Sequence, residues 1–145
     1  MTQLRSLLTE KGFYRISLKK LNSGHYKFTA KINSVKGDFI LDTGASTSCI
    51  GFLNIDLFLL KNETSKIKAS GAGTTNMKTE IAKNNTILIG DWKTTNIDFI
   101  LFDLSHVNEA LLQVDENAIH GIIGADFLKQ TRAVIDYGRN CFYVK

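Results

Sequence analysis

The sequence predicts a mainly all-β fold, a closed or partly closed barrel of short strands with a few short helices. Most of the chain consists of short stretches in which apolar and polar residues alternate, as they do in half-buried strands. Gly, Asn and Asp separate these stretches, and the chain has no proline. Helical spacing is confined to brief segments. Many short strands with so few helices indicate a barrel.

Length and composition indicate a single globular domain. The chain has 145 residues, of which 43% are hydrophobic and 22% are charged. No apolar run reaches the ~20 residues that cross a bilayer. The N-terminal residues also lack the apolar core and cleavage site of a signal peptide. We therefore expect a cytoplasmic protein without a membrane partner.

The cysteines and histidines do not form a metal-binding pattern. Cys49 and Cys141 are far apart in the chain and are expected to be reduced thiols. The histidines, His25, His106 and His120, are scattered without ligand spacing. The sequence therefore predicts neither a metal site nor a cofactor.

Positive charge is concentrated at the start of the chain. Of the net charge of +4, residues 1–40 contribute +6 and the remaining residues −2. The lysines alternate with apolar residues in strand-like patterns and lack clustered aromatic neighbours, which favours solvated strand faces over a nucleic-acid surface. We expect no nucleic-acid partner.

The first predicted element is a helix over residues 2–11. Its leucines have helical spacing, Thr2 is a candidate N-cap, and Gly12 provides a stop. We therefore divide the chain into a helical N-terminal extension, residues 1–12, and a barrel domain, residues 13–145.

A meander of strands follows the predicted helix. Residues 13–21 and 26–32 alternate between apolar and polar, and they predict the two strands of a hairpin around a turn at 22–25. A second turn leads into residues 38–41, "DFIL", a strand that ends at Asp42.

The second half of the chain contains further strands and two short helices. The run 49–60, "CIGFLNIDLFLL", predicts either a strand with a short helix or one buried helix, and it is too apolar to lie on the surface. Strands are expected within residues 85–104, followed by a short helix within 105–120. Residues 121–144 predict a strand, a glycine turn, a short helix and a final hairpin.

One short repeat is present in the sequence. The residues Asp-Phe-Ile-Leu occur at 38–41 and again at 98–101. The first copy continues into Asp42 and a Thr-Gly pair, whereas the second leads to Asp103 without that pair. The repeat would fit a pseudo-symmetric barrel in which only one half keeps the acid, and we do not expect Asp103 to be a second internal acid.

Asp42 stands out because its carboxylate directly follows large apolar residues of a predicted strand. A buried carboxylate without a partner is costly, so it must be neutralised, hydrogen-bonded or paired. Thr43 and Gly44 provide backbone N–H groups that can turn back towards it, and the glycine allows another chain to approach closely. Taken alone, this motif also fits a simple turn cap.

Three motifs taken together resemble the retropepsin-like, single-domain branch of the aspartic protease family. The stretch "ILDTGAST" resembles the active-site signature of that family. Ile122, Ile123 and Gly124, which run into "ADFLKQ", resemble its late apolar-apolar-glycine element, and "ASGAGTTNMKTE" resembles its flap hairpin. The resemblance covers most of residues 25–145.

The resemblance implies a closed β-barrel with a flap, a C-terminal helix and a peptide-hydrolysing site. Asp42 would be the catalytic acid, in an active-site turn completed by Thr43, Gly44 and Ala45. The hairpin over residues 66–80 would be the flap that binds an extended peptide or protein substrate. Its tip consists of Gly71, Ala72 and Gly73.

The chemistry of this family needs two carboxylates that share a water molecule and a proton. This chain carries one Asp-Thr-Gly motif, so the resemblance implies a homodimer in which Asp42 of each copy faces the other. The alternative is a catalytically inactive dimerisation or peptide-binding module that uses the same barrel.

Two further residues could be mistaken for catalytic groups. Asp126 follows the late glycine and is expected to cap the next helix. Cys49 has no identifiable histidine base nearby in the sequence, and we expect a buried thiol rather than a nucleophile.

Overall fold

The structure, a computed structural model, describes residues 3–64, 69–71, 74–77 and 79–145. The helices are α1 (Leu4–Glu10), α2 (Ser105–Leu112) and α3 (Ala125–Gln130). The strands are β1 (Tyr14–Ser17), β2 (Lys19–Lys20), β3 (Tyr26–Ile32), β4 (Val35–Leu41), β5 (Cys49–Gly51), β6 (Asn62–Thr64), β7 (Ala69–Gly71), β8 (Thr74–Met77), β9 (Glu80–Ile89), β10 (Trp92–Phe102), β11 (Gly121–Ile123), β12 (Val134–Asp136) and β13 (Cys141–Val144). Two 3₁₀ turns lie at Phe52–Asn54 and Tyr137–Arg139.

Six strands form a closed barrel. Their order is β3-β4-β11-β5-β10-β9, and β9 pairs back onto β3 through Lys31 with Leu88 and Ile32 with Ile87. β2 and β6 extend the same sheet beyond the ring. This closed, mainly β architecture confirms the predicted fold class. Closure leaves the ring without free strand edges.

Large apolar side chains fill the barrel, as the alternation of the sequence requires. Every second residue of β4, and of β10 from Ile97 onward, points inward, and the strands of the ring contribute a continuous cluster. Members of that cluster are Phe28, Phe39, Ile50, Phe99, Leu101 and Ile123. A second cluster lies on the opposite face of these strands, where Leu111 of α2 and Ile119 pack against Ile40, Cys49 and Ile100.

A separate three-stranded sheet joins the two ends of the described chain. β13 lies between β1 and β12, and all of its residues are buried. α1 packs onto it through Leu8, which belongs to a cluster with Phe13, Cys141 and Tyr143. The helix lies within the segment predicted for it, Thr2 lies outside the described residues, and the division at residue 12 stays a prediction.

The predicted hairpin of residues 13–21 with 26–32 is wrong in its pairing. Only the two residues of β2 pair with β3, whereas β1 pairs with β13, with Ile16 opposite Phe142. Alternation predicts a strand but not its partner, and the fully buried β13 needs a neighbour on each side.

The apolar run 49–60 forms a strand followed by a 3₁₀ turn, which was one of the two predicted alternatives. The expectation that it avoids the surface is wrong, because Leu53, Leu57 and Leu59 are exposed while Phe58 and Leu60 are buried. The tight turns in this segment direct neighbouring side chains to opposite sides, so only some of them can reach the core.

The C-terminal prediction of strand, glycine turn, helix and hairpin is confirmed. β11, α3, β12 and β13 follow in that order, and the final turn spans Tyr137–Asn140 with Asn140 in the left-handed region. Among the described residues, no helix is long and apolar enough to cross a membrane.

Candidate active site

β4 runs through the barrel core and ends just before Asp42, which lies at one end of the barrel. Phe39 and Ile40 are buried, Leu41 is half-buried, and Asp42 is the first residue beyond the strand. Leu41 pairs with Ile123 of the parallel strand β11, and the Asp42 N–H donates to the Ile123 carbonyl at 2.9 Å. The backbone of Asp42 is therefore held by β11.

The turn that follows wraps around the Asp42 carboxylate. The Gly44 N–H donates to Asp42 Oδ1 at 2.9 Å, and the Ala45 N–H donates to the Asp42 carbonyl at 3.2 Å. A Cβ at Gly44 would lie 3.2 Å from Asp42 Oδ1, tighter than an ordinary contact. Asp42 is half-buried, whereas Thr43 and Gly44 are exposed. The carboxylate is thus oriented by a backbone donor and remains reachable.

The late glycine element packs against this turn. The Ala125 N–H donates to the Ala45 carbonyl at 2.7 Å. A Cβ at Gly124 would lie 2.4 Å from the same Ala45 oxygen, so only glycine fits. The structure therefore brings Asp42 and Ala45 together with Ile123 and Gly124, which are far apart in the sequence. Ile122, the remaining member of the element, is half-buried beside Cys49.

Ser48 and Asp126 fasten the turn, and neither was singled out for this role from the sequence. The Ser48 N–H and hydroxyl donate to Asp126 Oδ1 at 2.9 and 2.7 Å. The Ser48 hydroxyl oxygen in turn accepts the Gly124 N–H at 2.9 Å. Ser48 is buried, with 1% of its surface exposed, so these bonds replace its contacts with water. They tie the end of the Asp42 loop to the start of α3.

The expectation that Asp126 caps α3 is wrong. The cap position is Gly124, which has no side chain, and Asp126 lies one residue inside the helix. Its Oδ1 also accepts the Phe127 N–H at 2.7 Å. The pairing with Ser48 was invisible in the sequence, because the two residues are 78 positions apart and meet only after β5 and β11 pair.

A hairpin of β7 with β8 lies within the residues predicted to form the flap, and its role as a flap stays a prediction. Ala69 pairs with Met77 and Gly71 with Thr74, with an irregularity between these pairs. Gly71 is the last residue of β7, whereas Ala72 and Gly73 lie outside the described residues.

Cys49 is a buried, free thiol directly after this loop. Burial raises its pKa to about 12, and nearby Asp126 and Asp42 act in the same direction, against a backbone hydrogen bond from Ile122. A thiol of this kind stays protonated at neutral pH and is not a nucleophile.

Asp103 occupies the place in the second half of the barrel that Asp42 occupies in the first. Phe39 pairs with Gly121 at the start of β11, and Ile100 pairs with Cys49 at the start of β5; both pairs are parallel. β11 and β5 run antiparallel to each other. The two halves are therefore related by an approximate two-fold axis, which equates the residues three positions further on, Asp42 and Asp103. The two turns lie at opposite ends of the barrel, because β4 and β10 run in opposite directions.

The Asp103 turn copies the Asp42 turn but is bonded more tightly. The Ser105 N–H donates to Asp103 Oδ1 at 2.9 Å, as Gly44 does to Asp42, and the Ser105 hydroxyl donates to the same oxygen. The two bonds from Ser105 lower the pKa of Asp103, the hydroxyl contributing most. The turn then enters α2 instead of an open loop.

Comparisons with known proteins agree with this geometry. The family model described as "Aspartyl protease" matches residues 28–127, which include the Asp42 turn, the β7–β8 hairpin and the late glycine element. No curated protein sequence gives a significant match.

Solved structures with the same fold include three proteases or protease-like domains. A retropepsin-like aspartic protease from Rickettsia conorii is 18% identical at a TM-score of 0.58, covering 92% of this chain and 89% of that one. The EIAV protease, solved with the inhibitor HBY-793, is 19% identical at a TM-score of 0.56, covering 76% of this chain and 90% of that one. The retroviral protease-like domain of Ddi1 from Leishmania major is 17% identical at a TM-score of 0.54, covering 90% of this chain and 88% of that one.

At these identities the solved structures establish the fold, and the family match, which spans more than half of the chain, establishes the lineage. The chain belongs to the aspartyl protease family and has its retropepsin-like fold.

Proposed function

We propose that this chain is an aspartic endopeptidase that acts as a homodimer, with Asp42 of each copy as a catalytic carboxylate. The observation that carries the proposal is the half-buried Asp42 carboxylate, oriented by the Gly44 N–H beside exposed turn residues. Asp103, the corresponding acid of the other half, lies at the opposite end of the barrel. A second copy is then the source of the second carboxylate.

The proposed chemistry divides acid and base roles between the two carboxyl groups, which share one proton. The ionised Asp42 takes a proton from a water molecule, whose oxygen bonds to the scissile carbonyl carbon. The protonated Asp42 of the other copy gives its proton to the carbonyl oxygen. As the C–N bond of the tetrahedral intermediate breaks, the first Asp42, now protonated, gives its proton to the leaving nitrogen. The ionised Asp42 of the other copy takes a proton from a hydroxyl of the intermediate, which leaves as the new carboxyl group, and the resting protonation state of the pair returns.

The remaining parts of the site have supporting roles in this proposal. Thr43, exposed in the single chain, is available to contact the partner turn across a two-fold axis. The β7–β8 hairpin is the element that would cover an extended peptide. The substrate would then bind by strand-like backbone hydrogen bonds, with its side chains setting the specificity.

A peptide-library digestion tests the assignment of Asp42. We expect the wild type to cleave peptides and Asp42→Asn to lower kcat/KM by about 10²–10⁴, the usual contribution of acid–base catalysis. Asp91→Asn, at an exposed position in the β9–β10 turn, is the matched control and should cleave like the wild type. Equal cleavage by Asp42→Asn and wild type would remove Asp42 from the mechanism.

Dilution and mixing test the shared site. Activity per molecule should fall on dilution, because the dimer dissociates. A roughly tenfold excess of Asp42→Asn should lower the activity of the wild type about tenfold by forming mixed dimers with one acid. Activity that is independent of concentration and of added variant would contradict the homodimer. Tight peptide binding without cleavage would favour the inactive peptide-binding module.

A further inference from the structure

A cleft lies at the end of the barrel opposite Asp42. Its volume is about 840 Å³, and it is formed between the 3₁₀ turn Phe52–Asn54 and α2. Asp103 stands at its border, so the cleft occupies on the second half of the barrel the place that the candidate active site occupies on the first. The proposed peptide hydrolysis does not use it.

The cleft has an apolar floor and an apolar rim. Leu104 and Ile119 are buried and form the floor. Leu53 and Leu112 stand on the rim with 95% and 60% of their surfaces exposed. Two exposed leucines on either side of an apolar floor form a contiguous patch, and such patches mark contacts with other molecules.

The charges at the cleft are negative. Asp103 and Glu109 border it, and among the described residues that line it none is Lys or Arg. The salt bridges of the described chain are those of Lys27 with Asp38, Lys83 with Glu63, and Arg139 with Asp136. Neither carboxylate of the cleft has a salt bridge within the described chain, so both are available to an incoming cation.

We propose that this cleft docks a segment of a partner protein in which large apolar side chains alternate with Lys or Arg. The apolar side chains enter between Leu53 and Leu112, where they remove both leucines from water. The basic side chains meet Asp103 and Glu109 at the border. The match of charge and apolar surface favours a cationic, apolar polypeptide over an acidic or a purely polar one. This proposal does not depend on catalysis at Asp42.

Fluorescence anisotropy with short labelled peptides tests the proposal. The protein is the full chain with Asp42→Asn, so that the probes are not cleaved. The probes alternate leucine with arginine, leucine with glutamate, or serine with arginine. We expect the leucine–arginine peptide to bind, and the other two to bind at least about tenfold more weakly, because each lacks one half of the match.

Matched variants locate the binding in the cleft. Leu53→Ser should weaken the leucine–arginine peptide about tenfold. Leu59→Ser should not, because Leu59 is also exposed, at 68%, but does not line the cleft. Likewise Glu109→Gln should weaken the binding of the leucine–arginine peptide and make the affinity less sensitive to salt. Glu10→Gln, at an exposed position of α1 outside the cleft, should leave the affinity unchanged. The exposed positions of these residues keep the variants folded, which thermal melting checks.

Four outcomes would overturn the proposal. Equal binding of the three probes would contradict the preference for a segment that is both apolar and cationic, and so would the absence of any binding. An unchanged affinity in Leu53→Ser would place the binding elsewhere, for example at the candidate active site. Self-association that is lost in Leu53→Ser would identify a second copy, whose exposed Leu4 and Leu7 lie beside Arg5, as the occupant instead of a partner protein.

Discussion

The two acid turns of this barrel have the same beginning and different ends. Asp42 and Asp103 each follow a strand of the central sheet, and each accepts an N–H from the residue two positions later. After the half-buried Asp42 the chain continues through exposed small residues into a loop that is held by Ser48 and Asp126. After the exposed Asp103 the chain enters α2, and the Ser105 hydroxyl donates a second hydrogen bond to the same carboxylate oxygen. The same turn is therefore followed by different surroundings, and in the proposed mechanism only the Asp42 carboxylate is catalytic.

The largest expected difference between the two turns is catalytic. In the proposed mechanism Asp42→Asn removes the group that exchanges protons with substrate, so it should lower kcat/KM for short peptides by about 10²–10⁴. Asp103→Asn should leave kcat/KM for the same peptides unchanged, because the proposed hydrolysis does not use the cleft that Asp103 borders. Steady-state kinetics on short peptides would check both values. A larger loss in Asp103→Asn than in Asp42→Asn would reverse the assignment.

The next difference concerns the residue that packs against each turn. Gly124 follows β11, and its counterpart after β5 is Phe52, so glycine is needed only beside Asp42. Gly124→Ala would place a Cβ 2.4 Å from the Ala45 oxygen, and we expect a loss of about 1–3 kcal/mol in the free energy of unfolding.

Gly138→Ala is the control for that substitution. The nearest atom to its added Cβ is Asp136 Oδ1 at 3.8 Å, an ordinary contact. Urea unfolding should therefore show a change within about 0.5 kcal/mol. Equal destabilisation by the two substitutions would mean that the close approach of Gly124 to Ala45 does not cause the loss of stability in Gly124→Ala.

A similar loss is expected when the fastening of the Asp42 loop is removed. Asp126→Ala leaves the buried Ser48 without its acceptor, which should cost about 1–3 kcal/mol. Asp126→Asn keeps an oxygen acceptor and should restore most of the stability. If Asp126 positions the loop, kcat should fall in Asp126→Ala with little change in KM and recover in Asp126→Asn. No recovery would indicate that the charge matters more than the hydrogen bonds.

The smallest effect involves Cys49, which lies beneath the loop. Its pKa in the folded protein is about 12, against 9.0 for a free thiol, so the unfolded chain loses this proton first as the pH rises. The stability contributed by the protonated thiol is complete below pH 9 and is lost between pH 9 and 12. Urea unfolding at pH 7 and pH 10 would check this. The difference in the free energy of unfolding between wild type and Cys49→Ala should be smaller at pH 10 than at pH 7 by about 1 kcal/mol.

The sequence predicted the Asp42 turn well because its determinants are local. An apolar strand, a carboxylate and a glycine occupy neighbouring positions, and the bond from Gly44 to Asp42 spans two residues. The late glycine was also predicted, but only through family resemblance, since its reason is a contact with Ala45 across the fold.

Contacts between distant residues were not predictable in the same way. The Ser48–Asp126 pair and the β1–β13 pairing depend on which strands become neighbours, and alternation is silent on that choice. The repeat at 38–41 and 98–101 suggested two related halves, yet the strand register equates residue 38 with 99 instead of 98. A one-residue offset of this kind comes from the pairings of β5 and β11.

The central position of β13 constrains the order in which the protein can assemble. β1 and β12 both bond to it, and β1 lies at the other end of the sequence, with Tyr14 opposite Val144. Closing so long a loop is entropically costly, and contacts of this range slow folding. During synthesis β1 has to wait, unpaired, until β13 has been made. The strands of the barrel all precede β13 in the sequence, so the sheet that holds α1 is the last for which every strand is present.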